Sequence, residues 1–323
     1  MNTTATGEPR HLAAIDAGSN GIRLAIGTID ARGALAESTN TRAAIRLGLD
    51  AFSLGWFTPD TIAQTVDCFK RFADTLGRQP ITAMRAVATS AVREAENGRE
   101  LVEAVSDATG IELQIIDGIE EAQLIFAGVS AQIDLKGRDA VLVDMGGGSV
   151  EVTVAHSGRA LGCETLKLGP VRLLQGLRAK EMAEADTETL VERYRGTIGQ
   201  LADAELDTRN PELLVIGTGG NIERMGKLRA QLLEKADTAR IRAADFDPLI
   251  EKVLAMSPAK RIEKLGLRPD RADVIGIALI VMRMIVNDLG VRQVTIPGIG
   301  LKEGLLRQLA RDHARQRRFP FPK

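Results

Sequence analysis

The feature that most constrains this 323-residue chain is a pattern that occurs twice. In HLAAIDAGSNGIRLAIGTID the apolar residues cluster up to Asp16, break at Gly18 to Gly21, and then alternate through Ile22, Leu24 and Ile26. That predicts two strands joined by a tight glycine turn. DAVLVDMGGGSVEVTVA repeats the order of events, with an apolar strand ending in Asp144, a glycine-rich turn with Ser149, and an alternating strand. The two aspartates lie 144 − 16 = 128 positions apart. A repeat at that distance predicts two domains built on one plan rather than a short-period solenoid, and the chain has the length for about two domains.

Between and after the repeats, helical and strand patterns alternate. Thr58-Pro59-Asp60 reads as an N-cap, a first-turn proline and an acidic first turn, and Ile62, Val66, Phe69, Phe72 and Leu76 follow at helical spacing. MRAVATS and ELQII read as strands, with helices near 97–109 and 119–131, the rhythm of an α/β domain. The second half continues with a strand in RALGCETLKLG and a charged helix near 186–204. A strand then ends in a glycine turn (ELLVIGTGGNI), and an apolar helix follows near 271–289. The basic, proline-tipped end RDHARQRRFPFPK reads as solvated or frayed.

Composition and spacing exclude several chemistries. The formal charge is 42 − 43 = −1 and aromatic residues are only 3%, which argues against duplex DNA and against stacking platforms for single strands. Cys68 and Cys163 are too few for a disulfide framework, and MNTTATGEPRH lacks the apolar core of a secretory signal. The strongly apolar stretch from Val274 to Met282 is too short for a membrane span. A reduced, cytoplasmic enzyme is expected. His11, His156 and His313 are not at metal-ligand spacing from one another, and neither cysteine has an arginine six positions on, as a cysteine phosphatase needs. AGSNG at 17–21 imitates a serine-hydrolase elbow but leads into a strand, not a helix. A Walker loop fails because Asn221 and Leu228 stand where Gly and Ser or Thr are required.

Carboxylates beside glycine turns remain. In IDAGSNG and VDMGGGS, small residues let the backbone approach a ligand, successive N–H groups can point at an anion, and a serine adds a donor. Asp16 and Asp144, each at the lip of its turn, are placed to hold a hard cation such as Mg²⁺ directly or through water. The third turn, GTGGN at 217–221, precedes a helix and could offer its N-terminus to an anion. IDGIEEAQLIFAGV puts Glu120 and Glu121 at a helix start, and neighbours on a helix point about 100° apart, so at most one faces a site well. Spacing does not choose between them. A carboxylate held against Leu124 and Ile125 would suit a general base toward water.

At these residues the chain resembles the exopolyphosphatase and guanosine pentaphosphate phosphohydrolase family, whose fold belongs to the actin-like ATPase superfamily. IDAGSNGIRL resembles the first phosphate loop, ATSAVREAENG the strand-to-helix segment that follows, and IDGIEEAQLIFAGV the catalytic helix. VDMGGGSVE resembles the second phosphate loop and PGIGLKEGLL the C-terminal segment. The resemblance implies hydrolysis of a phosphoanhydride at a chain end by metal-assisted water. It implies Glu121 as the base, with Asp144 and Glu151 around Mg²⁺ or Mn²⁺. Arg93, Gly146, Gly147, Gly148 and Ser149 would bind terminal phosphates, with Ser19 and Asn20 on the opposite side. Arg46, Lys167, Arg172 and Lys302 are candidates for the rest of a positively charged channel. Gly21 stands where a serine often follows Asn in the first loop, and GTGGNIE matches the third glycine motif only loosely.

The expected fold is therefore α/β, with two actin-like (ribonuclease H-like) domains flanking an active-site cleft. Residues 10–124 with a final helix at 301–315 form the first domain, 125–300 the second, and 316–323 a basic tail. The expected function is exopolyphosphatase, with inorganic polyphosphate or guanosine pentaphosphate as partner, no nucleic acid, no membrane, and a homodimer as a possible assembly. Removal of the 5′ phosphate from guanosine pentaphosphate is the main alternative. An actin-like small-molecule kinase and a non-catalytic polyphosphate or alarmone sensor are the readings from other classes.

Overall fold

The computed structural model describes residues 10–30 and 35–318. Its contacts divide the chain into two compact units. The first comprises the described residues of Met1–Ala51, Gly55–Asp117 and Leu301–Lys323, and the second Phe52–Leu54 and Gly118–Gly300.

The sheet of the first unit contains β1 (Arg10–Gly18), β2 (Gly21–Ile29), β3 (Leu35–Ala43), β4 (Ile81–Ala88) and β5 (Leu113–Ile115), in the order β3-β2-β1-β4-β5. β1 and β2 form the hairpin read from the sequence, closing at Gly18 opposite Gly21. β4 lies parallel to β1 and β5 parallel to β4. β1 is buried from Leu12 to Ala17 because it is central and covered on both faces. The sequence reading did not include β3. It is an edge strand, LAESTNTRA, and a polar edge carries no apolar alternation to detect. Helices Pro59–Leu76 and Gly98–Thr109 pack on each other, the first capped by the Thr58 side chain accepting from Thr61 N–H. The last helix, Leu301–Arg318, returns to pack on β1, β2 and β4 through buried Leu305 and Leu306. The basic-tail reading at 316–323 falls on the end of this helix and, from residue 319, outside the described residues.

The second unit repeats the plan with six strands. These are β6 (Asp139–Met145), β7 (Val150–His156), β8 (Arg159–Leu166), β9 (Leu214–Thr218), β10 (Arg240–Arg242) and β11 (Gln293–Thr295), in the order β10-β11-β9-β6-β7-β8. Its apolar helix, Ile275–Asp288, is buried nearly all round and forms the centre of a core with Val141, Val143, Val152 and Ile222. The single charged helix expected at 186–204 is broken. Thr187–Val191 and Thr197–Glu205 are helical, flanked and joined by short 3₁₀ turns, and Gly196 between them takes φ +79° and donates its N–H to Asp288 Oδ2 at 2.7 Å. A left-handed glycine stands before the second helix, where a tertiary acceptor captures its amide. Among the described residues no helix is long and apolar enough to cross a membrane.

Candidate active site

In the second unit, strand register sets the site. Thr218, Asp144, Glu151 and Thr165 stand directly opposite one another across β9, β6, β7 and β8. Asp144 and Glu151 are therefore cross-strand neighbours at the lip of the VDMGGGS turn. Thr218 Oγ1 donates to Asp144 Oδ1 at 2.5 Å, which fixes the carboxylate's orientation.

The helix Gly118–Ser130 brings in the third acid. A Cβ at Gly118 would stand 2.1 Å from Thr165 Oγ1, so only glycine lets the helix start this close to β8. Three residues on, Glu121 is buried at 6% exposure beside Asp144 at 7% and Glu151 at 1%, whereas Glu120 is half-buried. One carboxylate oxygen from each of Glu121, Asp144 and Glu151 lies within 4.8 Å of the others. Three like charges buried together are mutually unfavourable without a compensating cation. The set is all oxygen and all anionic, the chemistry a hard divalent cation takes. The donors present thus fit a metal ion.

The second glycine turn is held by close backbone approach. The Gly147 carbonyl accepts the N–H groups of Val171 and Arg172, at 2.9 and 3.3 Å, from the start of the helix Pro170–Ala179. A Cβ at Gly169 would overlap Gly148 C at 2.2 Å, and one at Gly219, which has φ +97°, would stand 2.5 Å from the Met145 carbonyl oxygen. Arg172 Nε donates to the Gly148 carbonyl at 2.7 Å. These bonds occupy the carbonyls of Gly147 and Gly148. Gly148 and Ser149 are buried, Gly146 and Gly147 half-buried. Lys167, just past β8, is exposed.

In the first unit the turn is braced differently. Asp16 accepts from Arg23 Nη1 at 2.9 Å. Ser19 is buried, and its carbonyl receives the Gly48 N–H at 2.8 Å. Asn20 accepts from Arg46 Nε through its side-chain oxygen at 2.9 Å, and from Arg42 through its carbonyl. Arg93 donates to the Ile116 carbonyl at 2.7 Å, and Lys302, in the first turn of the last helix, pairs with Glu303. The residues read from the sequence thus fall into two sets. Glu121, Asp144, Glu151, Gly146, Gly147, Gly148, Ser149, Lys167 and Arg172 lie in the second unit, and Asp16, Ser19, Asn20, Arg46, Arg93 and Lys302 in the first. Thr218, Gly169 and Arg42 were missed. Thr218 lies within the GTGGN turn and Gly169 ends the RALGCETLKLG segment, both read from the sequence without marking these two residues, whereas Arg42 sits in the edge strand with no motif to mark it.

Two glycine-turn sheets, one of them beside a buried acidic trio, are the build of a phosphate-handling α/β protein. The sequence pattern of the Ppx/GppA phosphatase family matches residues 28–313, and the chain belongs to that family. Exopolyphosphatase 2 of Mycobacterium tuberculosis is 29% identical over 320 residues, covering 93% of this chain and 98% of that protein. The crystal structure of an exopolyphosphatase from Cytophaga hutchinsonii matches with a TM-score of 0.83 at 22% identity, covering 94% of this chain and 98% of that one. A Ppx/GppA family member from Aquifex aeolicus matches with a TM-score of 0.75 at 20% identity, over 95% and 99% of the two chains. The fold is the expected duplicated α/β architecture, and it is shared with these solved structures.

Proposed function

We propose that this protein is an exopolyphosphatase that releases orthophosphate from the ends of inorganic polyphosphate by attack of water on the terminal phosphorus. The observation that carries the proposal is the convergence of Glu121, Asp144 and Glu151 within 4.8 Å beside a glycine turn. The likeness to Exopolyphosphatase 2 over nearly the whole of both chains supports it.

In this reading the N–H groups of Gly146, Gly147 and Gly148 and the Ser149 hydroxyl bind oxygens of the terminal phosphate. Arg172 stiffens that turn from behind through the Gly148 carbonyl. Asp144 and Glu151 would hold Mg²⁺ or Mn²⁺, which when bound neutralises developing charge on the phosphoryl oxygens. Glu121 takes the proton from the attacking water as the new P–O bond forms. The bridging P–O bond breaks, and its electron pair leaves with the shortened chain. Ser19, Asn20, Arg46, Arg93, Lys167 and Lys302 are proposed as further phosphate contacts. Asp16 is the weakest of the metal candidates, because Arg23 already neutralises it at 2.9 Å.

The test is phosphate release from polyphosphate, guanosine pentaphosphate and ATP, each with Mg²⁺, by the wild type and by Glu121→Gln. Polyphosphate should be the preferred substrate, and the Gln variant should lose about 10²–10⁴-fold in turnover while keeping its circular dichroism spectrum. Preference for the nucleotide would overturn the substrate assignment, and an undiminished Gln variant the base assignment. ATP consumption that needs an added acceptor would mark a kinase.

A further inference from the structure

We propose that Arg42 is a phosphate-binding residue of the first glycine turn, and that the bare Cα of Gly21 leaves the space that the Arg42 guanidinium fills. The proposal rests on the polyphosphate reading above and names a residue that reading does not include.

Three observations carry it. The first is register: Asp16, Arg23 and Arg42 stand directly opposite one another across β1, β2 and β3. Residues so placed share a face, and like charges directly opposite are unfavourable. The row sets two guanidiniums side by side. The second is direction. Arg42 Nη2 donates to the Asn20 carbonyl while Arg46 Nε donates to the Asn20 side chain, so both cations are turned inward onto the glycine turn. The third is space. A Cβ at Gly21 would stand 2.6 Å from Arg42 Nη2, 2.8 Å from Cζ and 2.9 Å from Nε, and Gly21 has φ +156°. Arg23 is paired with Asp16, whereas the Arg42 guanidinium lies over the glycine turn, where a side chain at position 21 would displace it. The guanidiniums of Arg42 and Arg46, converging on Asn20, match the non-bridging oxygens of a phosphoanhydride, which take planar, charge-assisted hydrogen bonds.

The experiment uses the full chain and tripolyphosphate as probe, with Arg42→Met, Arg42→Lys, Gly21→Ser and the Gly21→Ser/Arg42→Met double variant. KM and kcat are read with Mg²⁺, and the rise in melting temperature on adding tripolyphosphate is read without metal. Arg42→Met should raise KM about tenfold with little change in kcat, and should shrink the ligand-induced rise in melting temperature. Arg42→Lys should fall between it and the wild type, since an ammonium keeps the charge but not the planar fork. Gly21→Ser should raise KM as Arg42→Met does, by displacing the guanidinium, and the double variant should be no worse than either single one. Backbone strain at residue 21 is common to both serine variants and cancels in the double-mutant cycle.

Unchanged KM and ligand-induced stabilisation in Arg42→Met would overturn the proposal. So would a loss confined to kcat and the melting temperature without ligand, the mark of a structural brace. Additive effects in the cycle would overturn the link to Gly21. The stabilisation measurement needs no turnover, so a wild type that binds tripolyphosphate without hydrolysing it would sink the hydrolase reading and still decide the role of Arg42. A wild type that does not bind it would sink both.

Discussion

The two sheets place different chemistry at equivalent points of one framework. Across β1, β2 and β3 the residues at the lip of the turn are Asp16, Arg23 and Arg42; across β6, β7 and β8 they are Asp144, Glu151 and Thr165. The strand that flanks the aspartate supplies Val87 in the first unit and Thr218 in the second. In the first row the aspartate is neutralised from within by Arg23. In the second it is oriented by Thr218 and faces another carboxylate. The rows differ at the second position, arginine against glutamate, and at the third, arginine against threonine, so the first row carries an excess of positive charge and the second an excess of negative charge.

This contrast can be broken in several ways. The largest effect should come from chelation: with EDTA, phosphate release should fall by about 100-fold or more and return with added Mg²⁺, whereas metal-free tripolyphosphate binding should persist. Next, the two rows should respond to loss of charge with opposite sign. Arg23→Leu strands the carboxylate of Asp16. It should destabilise by about 2 kcal/mol in chemical denaturation, below the roughly 3–5 kcal/mol of a fully buried pair, because the Arg23 side chain is 28% exposed. Glu151→Gln relieves repulsion within the trio and should raise the melting temperature by about 2–4 °C in EDTA. A fall would mean that the acids are satisfied without a cation.

Thr218→Val removes the hydrogen bond to Asp144. It should weaken Mg²⁺ activation by about tenfold, read as the metal concentration giving half-maximal rate, with a stability loss of only about 1 kcal/mol. The smallest effect separates the units by their thiols. Burial pushes the Cys68 thiol up to about 11 from 9.0, so at pH 8 a disulfide reagent should label Cys163, which is half-buried, and reach Cys68 only after denaturation. The unfolded thiol ionises first as pH rises, so Cys68 should cost the native state stability between about pH 9 and 11 and have no effect below.

Much of this was legible in the chain. Apolar clustering and alternation around IDAGSNG and VDMGGGS located both hairpins, because a strand's period is local and survives in any context. The helix at Pro59–Leu76 was equally plain, since its cap, proline and apolar stripe lie within twenty residues. The polar edge strand β3 was hidden because its partner, not its own pattern, makes it a strand. The break at Gly196 was hidden because the acceptor of its amide is Asp288, 92 positions away.

At the site, the sequence by itself determined the duplicated strand-turn-strand plan, the glycine turns and a short set of acids. Spacing left Glu120 and Glu121 open, the family resemblance pointed to Glu121, and the tertiary structure brought it to Asp144 and Glu151. Only the tertiary structure decided that Thr218 orients Asp144 and that Arg42 occupies the space above Gly21. Propensity and periodicity are properties of neighbours along the chain. Register across strands and the clearance of a missing Cβ are set by residues brought together from far apart, and pairing alone fixes which charges meet.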